Sequence, residues 1–262
     1  MLVFLIAMRP ACTTESWSRV CRLLNITLDS VFNQSSTNYK AIVLHHDKPP
    51  IDRSHPNLEL VQCSFAPPPD DVMKLDQQAA RELMRTDQGR KKLFGLSVAR
   101  EFANSHTMFL DSDDLVSNQL VSLVDADPDA NGWVFDRGYL MFSSNPAWVY
   151  RRKNFHQECG SSHILKTSVA PFPDQLNLTL GLEDYYVRRY HVHAYISEAM
   201  KDKGAPLASL PFPGCIYLCH GSNVLINESD RNKGLRKWMR WLTRGVRVTD
   251  RMRDEFKIPA EF

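Results

Sequence analysis

The sequence predicts an α/β fold with a mainly parallel central sheet. Three mainly apolar runs, at residues 2–8, 39–44 and 107–110, have the length and composition of strands buried on both faces. Apolar residues recur at helical spacing between the first two runs, and again over residues 75–103, before the third. Strands that alternate with helices are typical of a parallel sheet with helices on both faces.

The helical segments have identifiable bounds. Ser16 stands where it caps a helix whose apolar stripe extends to Val31. The segment at 75–103 is expected to break near Gly89, since glycine weakens a helix interior. A later helix is expected to begin near Glu183.

The middle of the chain differs from the first part. Short aromatic segments at 133–135, 139–142 and 148–150 are separated by turns, and they predict antiparallel strands added to the parallel half. A late strand is expected at 216–218. Because we find no repeat and no linker, the sequence predicts one domain over residues 1–262.

Composition excludes several classes of protein. With 43% hydrophobic and 24% charged residues the chain is globular, and its net charge of +2 gives no global field that would predict a nucleic-acid partner. Six cysteines without a Cys-x-x-Cys pair predict reduced thiols. The longest early apolar run is far shorter than the roughly 20 residues of a membrane span, so we expect a cytoplasmic protein.

An acidic cluster directly follows the third predicted strand. Asp111, Ser112, Asp113 and Asp114 put three carboxylates within four residues, and their mutual repulsion favours a bound cation. Ligands of open α/β sheets bind at the carboxyl ends of the strands. Carboxylates suit Mg²⁺ or Mn²⁺, which take their remaining ligands from phosphate and water. The alternative is a solvated acidic turn that caps the next helix.

Several segments together resemble one enzyme family. Residues 107–114 (TMFLDSDD) resemble the Asp-x-Asp motif of GT-A glycosyltransferases, notably the inverting, family-2-like group. Residues 27–34 (TLDSVFNQ) are similar to the group's first helix, and residues 41–47 to its second strand, which ends in base-contacting acidic residues. Residues 181–186 (GLEDYY) resemble the Glu-Asp motif that supplies the catalytic base. The resemblance covers roughly residues 1–225.

The resemblance implies a fold, a reaction and a division of the chain. The fold is a Rossmann-like GT-A domain with a nucleotide-binding half at 1–115, an acceptor-binding half at 116–225 and a basic helical tail at 226–262. The reaction is metal-dependent transfer of a sugar from a nucleotide-sugar, above all a UDP-sugar, to a hydroxyl of a glycan or lipid-linked acceptor. The group's Glu-Asp motif implies inversion by single displacement.

The resemblance also implies roles for individual residues. Asp184 is the expected general base, and Glu183 orients it or binds the acceptor. The expected ligands of Mn²⁺ or Mg²⁺ are Asp111, Asp113 and His220. The residues expected to contact the donor are Arg9, His46, Asp47, Lys91, Lys92, Asp111 and Ser112.

Each role has a plainer alternative. Glu183 and Asp184 also favour a helix N-terminus, where negative side chains are stabilised. His220 is equally a hydrogen-bonded imidazole, and Lys91 and Lys92 equally belong to a solvated helix face.

The basic tail has two interpretations. Tryptophans lie among lysines and arginines over residues 232–247, where a helix is expected. Such a helix lies on an anionic membrane, which would suit a peripheral enzyme with a lipid-linked acceptor, or it docks its tryptophans on the core. We favour the second interpretation.

Two other functions remain as alternatives. A nucleotidyltransferase also combines such a sheet with acidic metal ligands, but its triphosphate-holding loop is glycine-rich, and residues 9–14 (RPACTT) contain no glycine. A non-catalytic glycan-binding protein derived from a transferase is the other alternative. The intact Asp111, Asp113 and Asp184 argue against it.

Overall fold

A computed structural model describes residues 1–51, 54–220 and 245–261, which form an α/β structure with two sheets. The strands are β1 (Leu2–Ala7), β2 (Tyr39–His45), β3 (Leu58–Gln62), β4 (His106–Asp111), β5 (Leu115–Val116), β6 (Gly132–Val134), β7 (Arg137–Phe142), β8 (Trp148–Lys153), β9 (His163–Lys166), β10 (Ala208–Ser209), β11 (Cys215–Cys219) and β12 (Gly245–Arg247). The α-helices are α1 (Trp17–Phe32), α2 (Gln77–Ala99), α3 (Leu120–Ala126), α4 (Tyr185–His191), α5 (Ile196–Asp202) and α6 (Asp250–Phe256).

The larger sheet has seven strands in the order β10-β6-β9-β4-β1-β2-β3. Four of its six pairings are parallel, and β9 pairs antiparallel with both β4 and β6. The prediction of a mainly parallel central sheet with added antiparallel strands is therefore confirmed. Because β1 and β4 are parallel neighbours in register, with Ala7 opposite Asp111, both strands end at the same edge of the sheet.

Both faces of this sheet are covered by helices. Leu2, Phe4 and Ile6 of β1 pack with the apolar stripe of α1 on one face. Val3 and Leu5 point to the other face, where they pack with α2, α4 and α5. Burial of each such side chain contributes roughly 1.5–3 kcal/mol. The prediction of helices on both faces is confirmed.

The smaller sheet has the order β12-β8-β7-β11-β5, and it contains two of the three aromatic segments predicted as added strands, in β7 and β8. The third segment, at 133–135, contributes β6 to the larger sheet. Within it β7 and β11 run parallel, and the other pairings are antiparallel. Strand β11 leads to His220, so this sheet brings a residue from late in the chain to the acidic cluster.

The predicted break in α2 is wrong. The helix is continuous through Gly89, where an added Cβ would lie 2.4 Å from the carbonyl oxygen of Val187 in α4. Glycine costs a helix interior about 1 kcal/mol relative to alanine. Here its missing side chain lets α2 and α4 pack closely.

The tail agrees only in part with its prediction. Residues 232–244 of the predicted basic helix lie outside the described residues. Residues 245–247 form β12, a strand paired with β8, so the helix prediction is wrong for these three residues. Their neighbour Val248 is buried among apolar side chains of the smaller sheet, which explains why the chain is extended here.

Two further predictions concern the thiols and the membrane. All six cysteines are described, and none forms a disulfide. Among the described helices, none combines the length and the apolar character that a membrane span requires.

Candidate functional site

A cavity of about 160 Å³ lies at the shared carboxyl edge of β1 and β4, beside α2. The turn after β1 supplies one wall through Met8, Arg9 and Pro10, and the acidic cluster supplies another. The titratable residues that line the cavity are Arg9, Arg85, Asp87, Lys91, Asp111, Asp113, His191 and Tyr217. Ser112 also lines it, so four predicted donor contacts meet there: Arg9, Lys91, Asp111 and Ser112.

Asp113 and His220 meet at this edge. The Nε2 atom of His220 lies 2.7 Å from Oδ2 of Asp113, and the imidazole is almost fully buried. In an octahedral site with ligands at 2.0–2.1 Å, adjacent ligand atoms are about 3 Å apart. The spacing of these two atoms therefore fits adjacent positions around one divalent ion.

Asp111 faces a different partner. Its Oδ1 accepts a hydrogen bond from Gln88 at 3.1 Å and lies 3.6 Å from Nζ of Lys92. The backbone of Gly160 lies against the other oxygen, since an added Cβ would be 2.6 Å from Oδ2. Of the three predicted metal ligands, the structure thus brings Asp113 to His220 and pairs Asp111 with Lys92.

Asp114 is directed into the interior and is fully buried. It accepts hydrogen bonds from the Ser161 hydroxyl at 2.6 Å and the Leu218 amide at 3.2 Å. Burial raises the pKa of Asp114 well above its usual value, and the charges of Asp113 and Asp111 raise it further. Ser161 also accepts from the Asp111 amide at 2.9 Å, so one side chain holds both ends of the acidic loop.

A second group of ligating atoms lies behind the acidic loop. In the described parts of the chain, Asp114, Cys159 and Cys215 are the three metal-ligating side chains whose donor atoms come within 4.8 Å of one another. The thiol of Cys159 donates to Asp114 at 3.4 Å, and burial raises the pKa of both thiols. Neutral thiols are poor metal ligands. We therefore interpret this group as a hydrogen-bonded part of the core.

Lys91 and Lys92 are both buried, so they do not lie on a solvated helix face. Nζ of Lys91 donates to Asp87 Oδ2 at 2.6 Å and to the Met8 carbonyl at 2.8 Å. Lys92 lies beside Asp111 and is not among the described residues that line the cavity. Each lysine thus holds a carboxylate of the site in place.

Arg9 lies across the cavity from the acidic loop. Its guanidinium donates to the Thr13 hydroxyl at 3.3 Å and contacts Sδ of Met84 at 3.6 Å. Burial lowers the pKa of Arg9, and the nearby charge of Asp113 raises it. The guanidinium therefore faces the same space as the Asp113 carboxylate.

His46 and Asp47 lie behind the cavity wall. His46 forms a hydrogen bond with Asp87 through its Nε2 at 2.7 Å, and Oδ2 of Asp47 accepts from the Ala11 amide at 2.8 Å. Neither is among the described residues that line the cavity. In this structure both residues hold the wall in place, and their contact with the donor stays a prediction.

Glu183 and Asp184 lie at the start of α4. Oδ1 of Asp184 accepts from the amides of Tyr186 and Val187, both at 2.9 Å, and Glu183 accepts from the Gly181 amide at 2.7 Å. The bonds of Asp184 are those of a residue that caps a helix N-terminus, which is the alternative to a catalytic role. At 1.5 Å per residue, Asp184 is about 10 Å along α4 from His191, which lines the cavity.

A wider groove of about 550 Å³ runs along the N-terminal part of α2. Its described lining residues are Gln77, Gln78, Arg81, Glu82, Arg85 and Leu182. Leu182 lies two residues before Asp184, so the start of α4 borders this groove. Arg85 lines both the groove and the cavity.

Sequence reasoning missed several residues of the site. The four-residue spacing of Asp87 and Lys91 on one helix face was a usable signal for their ion pair. No sequence signal points to Arg85 or His191, because their place depends on how α2 and α4 pack. Burial, with the charges of Lys92 and Arg85, lowers the pKa of His191 to about 4, so this imidazole is neutral at pH 7.

The chain is similar to two solved structures at low sequence identity. No family model and no curated protein matches the chain. Among solved structures, the crystal structure of S. aureus TarS 1–349 is similar with a TM-score of 0.47 at 11% identity, over 83% of this chain and 60% of that one. An active-site mutant of LgtC is similar with a TM-score of 0.39 at 13% identity, over 97% of this chain and 82% of that one. This chain thus spans 60% of the TarS structure, and at these values neither likeness carries an argument about function.

Proposed function

We propose that the chain is a metal-dependent glycosyltransferase of GT-A type that uses a nucleotide-sugar, with a UDP-sugar as the first candidate. One observation carries the proposal. The cavity at the carboxyl edge of the parallel strands holds Asp113, next to His220, opposite the cation Arg9. Such a combination suits a divalent ion and the diphosphate that it accompanies.

Asp113 and His220 are the residues that would hold Mn²⁺ or Mg²⁺. The ion, when bound, stabilises the charge that develops on the leaving diphosphate. Arg9 donates hydrogen bonds to the phosphate oxygens. Asp111, held by Lys92 and Gln88, accepts a hydrogen bond from the ribose.

We assign the acceptor to the groove beside α4, where a glycan or a lipid-linked glycan would bind. Asp184 lies two residues after Leu182, which lines this groove, and its Oδ2 has no hydrogen-bond partner in the described parts of the chain. In this assignment Oδ2 takes the proton of the acceptor hydroxyl in a single inverting displacement, and Glu183 orients the acceptor. A general base contributes about 10²–10⁴-fold to the rate.

The turn after β1 disfavours a nucleotidyltransferase. A triphosphate-binding loop needs several available backbone N–H groups. Here Pro10 has none, and the Ala11 amide donates to Asp47. A non-catalytic glycan-binding protein derived from a transferase would have the same cavity but would not turn over a donor. Only an activity measurement therefore separates these two functions.

The test measures nucleotide release from a panel of UDP-, GDP-, ADP- and dTDP-sugars, with Mn²⁺ or with EDTA, and with and without candidate glycan acceptors. We expect release of the nucleoside diphosphate from one donor class, dependent on metal. Pyrophosphate release from a nucleoside triphosphate and a sugar phosphate would instead identify a nucleotidyltransferase. Binding of a nucleotide-sugar without any release would favour the non-catalytic alternative.

A further inference from the structure

Arg85 lies where the cavity and the outer groove meet, and it lines both. Its Nε atom is buried and has no hydrogen-bond partner. The described parts of the chain provide no ion pair for its guanidinium either. A buried N–H without an acceptor costs about 1–3 kcal/mol, and more when the group is charged. A ligand that supplies the acceptor would remove this cost.

The other cations of the site already have partners. Lys91 donates to Asp87, Lys92 lies beside Asp111, and Arg9 donates to Thr13. Arg85 therefore differs from them, since its donors are not used by the protein residues described. An anion can therefore bind the guanidinium of Arg85 without first breaking a hydrogen bond between Arg85 and the described residues.

The surroundings of Arg85 favour an anion over a neutral group. Lys92 and Arg85 are among the charges that lower the pKa of His191. The two cations therefore act on this end of the cavity, where the charge of Asp111 partly opposes them. His191 is neutral, and its Nδ1 is also buried without a partner, so the tautomer that carries its proton on Nδ1 offers a second donor. The groove adds Arg81, one helical turn before Arg85, and one opposing charge, Glu82.

We infer that Arg85 binds a phosphate group at this junction. A guanidinium presents a planar fork of N–H donors that matches the geometry of phosphate oxygens. The donor's own diphosphate and a phosphate carried by the acceptor share this chemistry. The position of Arg85 on the groove favours the acceptor, so the inference is that the acceptor carries a phosphate near the reacting hydroxyl. Its assignment to the acceptor rests on the proposed function.

The first arm of the test measures binding of inorganic phosphate to the metal-free full chain by calorimetry. In Arg85→Gln we expect the affinity for phosphate to fall about tenfold or more, as for the loss of a charge-assisted hydrogen bond. Arg22→Gln makes the same charge change at an exposed position of α1 and should leave the affinity unchanged. Because Arg85 has no partner among the described residues, thermal stability of the Arg85→Gln variant should remain near that of the wild type. Equal phosphate binding by wild type and Arg85→Gln would overturn the inference.

The second arm separates the two sources of phosphate. Saturation of the wild type with UDP and Mg²⁺ should leave phosphate binding nearly unchanged, because the two ligands occupy different positions. Displacement of phosphate by UDP and Mg²⁺ would place Arg85 in the donor's diphosphate site and overturn the assignment to the acceptor. If UDP does not bind at all, the proposed function fails, and the first arm still decides whether Arg85 binds phosphate.

Discussion

Replacement of Asp113 with asparagine is expected to abolish metal-dependent binding of the nucleotide. Asparagine keeps the shape and the hydrogen bond to His220, but it lacks the charge that a divalent ion requires. Loss of a residue that only supports a metal ligand typically costs 10–100-fold in affinity, so loss of a direct ligand should cost more than about 100-fold. The measurement is calorimetric titration with UDP, in the presence of Mn²⁺ and in its absence.

The matched control is Asp174→Asn, which removes one carboxylate charge at an exposed loop position. This variant should bind UDP and Mn²⁺ like the wild type. In Asp113→Asn, the weak metal-free binding of UDP through Arg9 should persist, because the cationic wall is intact. Unchanged Mn²⁺-dependent binding in Asp113→Asn would show that the ion is held elsewhere.

The second large effect is expected for Asp184→Asn. If Oδ2 of Asp184 is the general base, kcat for sugar transfer should fall by about 10²–10⁴-fold, because an amide does not take up the proton. Binding of the donor should be nearly unchanged, since the residue lies at the far end of α4 from the cavity. Initial rates at saturating donor, together with a UDP titration, check both statements.

Asp184 also caps α4, and the choice of substitution separates the two roles. Asparagine and serine cap helices about as well as aspartate, whereas alanine costs about 1 kcal/mol. Asp184→Asn and Asp184→Ser should therefore keep the thermal stability of the wild type while losing activity. Full activity in both variants would leave Asp184 with a capping role alone, and the proposed base would have to be sought elsewhere.

Local pattern was sufficient to predict the parallel core. The three mainly apolar runs form β1, β2 and β4, because a strand buried on both faces is made mostly of apolar residues. Gly89 misled the prediction, since its role depends on the approach of Val187 from α4, far away in the sequence. The strand β12 was missed for a similar reason, because its partner β8 is remote in sequence.

The site was predictable in its residue types and less so in its contacts. The acidic cluster and its position after β4 follow from the sequence, and so does the late histidine. The burial of the Asp114 side chain could not be predicted, because it depends on a hydrogen bond from Ser161, which lies 47 residues later. His46 likewise pairs with Asp87 of α2 across a separation of 41 residues, which no local pattern encodes.

The most direct test of the metal and nucleotide site is thermal unfolding with each nucleoside diphosphate, with and without Mn²⁺. A ligand that binds only the folded chain at a hundredfold excess over its Kd adds about 2.7 kcal/mol of stability. We expect the full rise in Tm only when Mn²⁺ and one nucleotide are present together, with at most a small rise from the nucleotide alone. We expect Asp113→Asn to lose the part of the rise that depends on Mn²⁺. A rise of the same size without metal, or no rise with any combination, would contradict the proposed site.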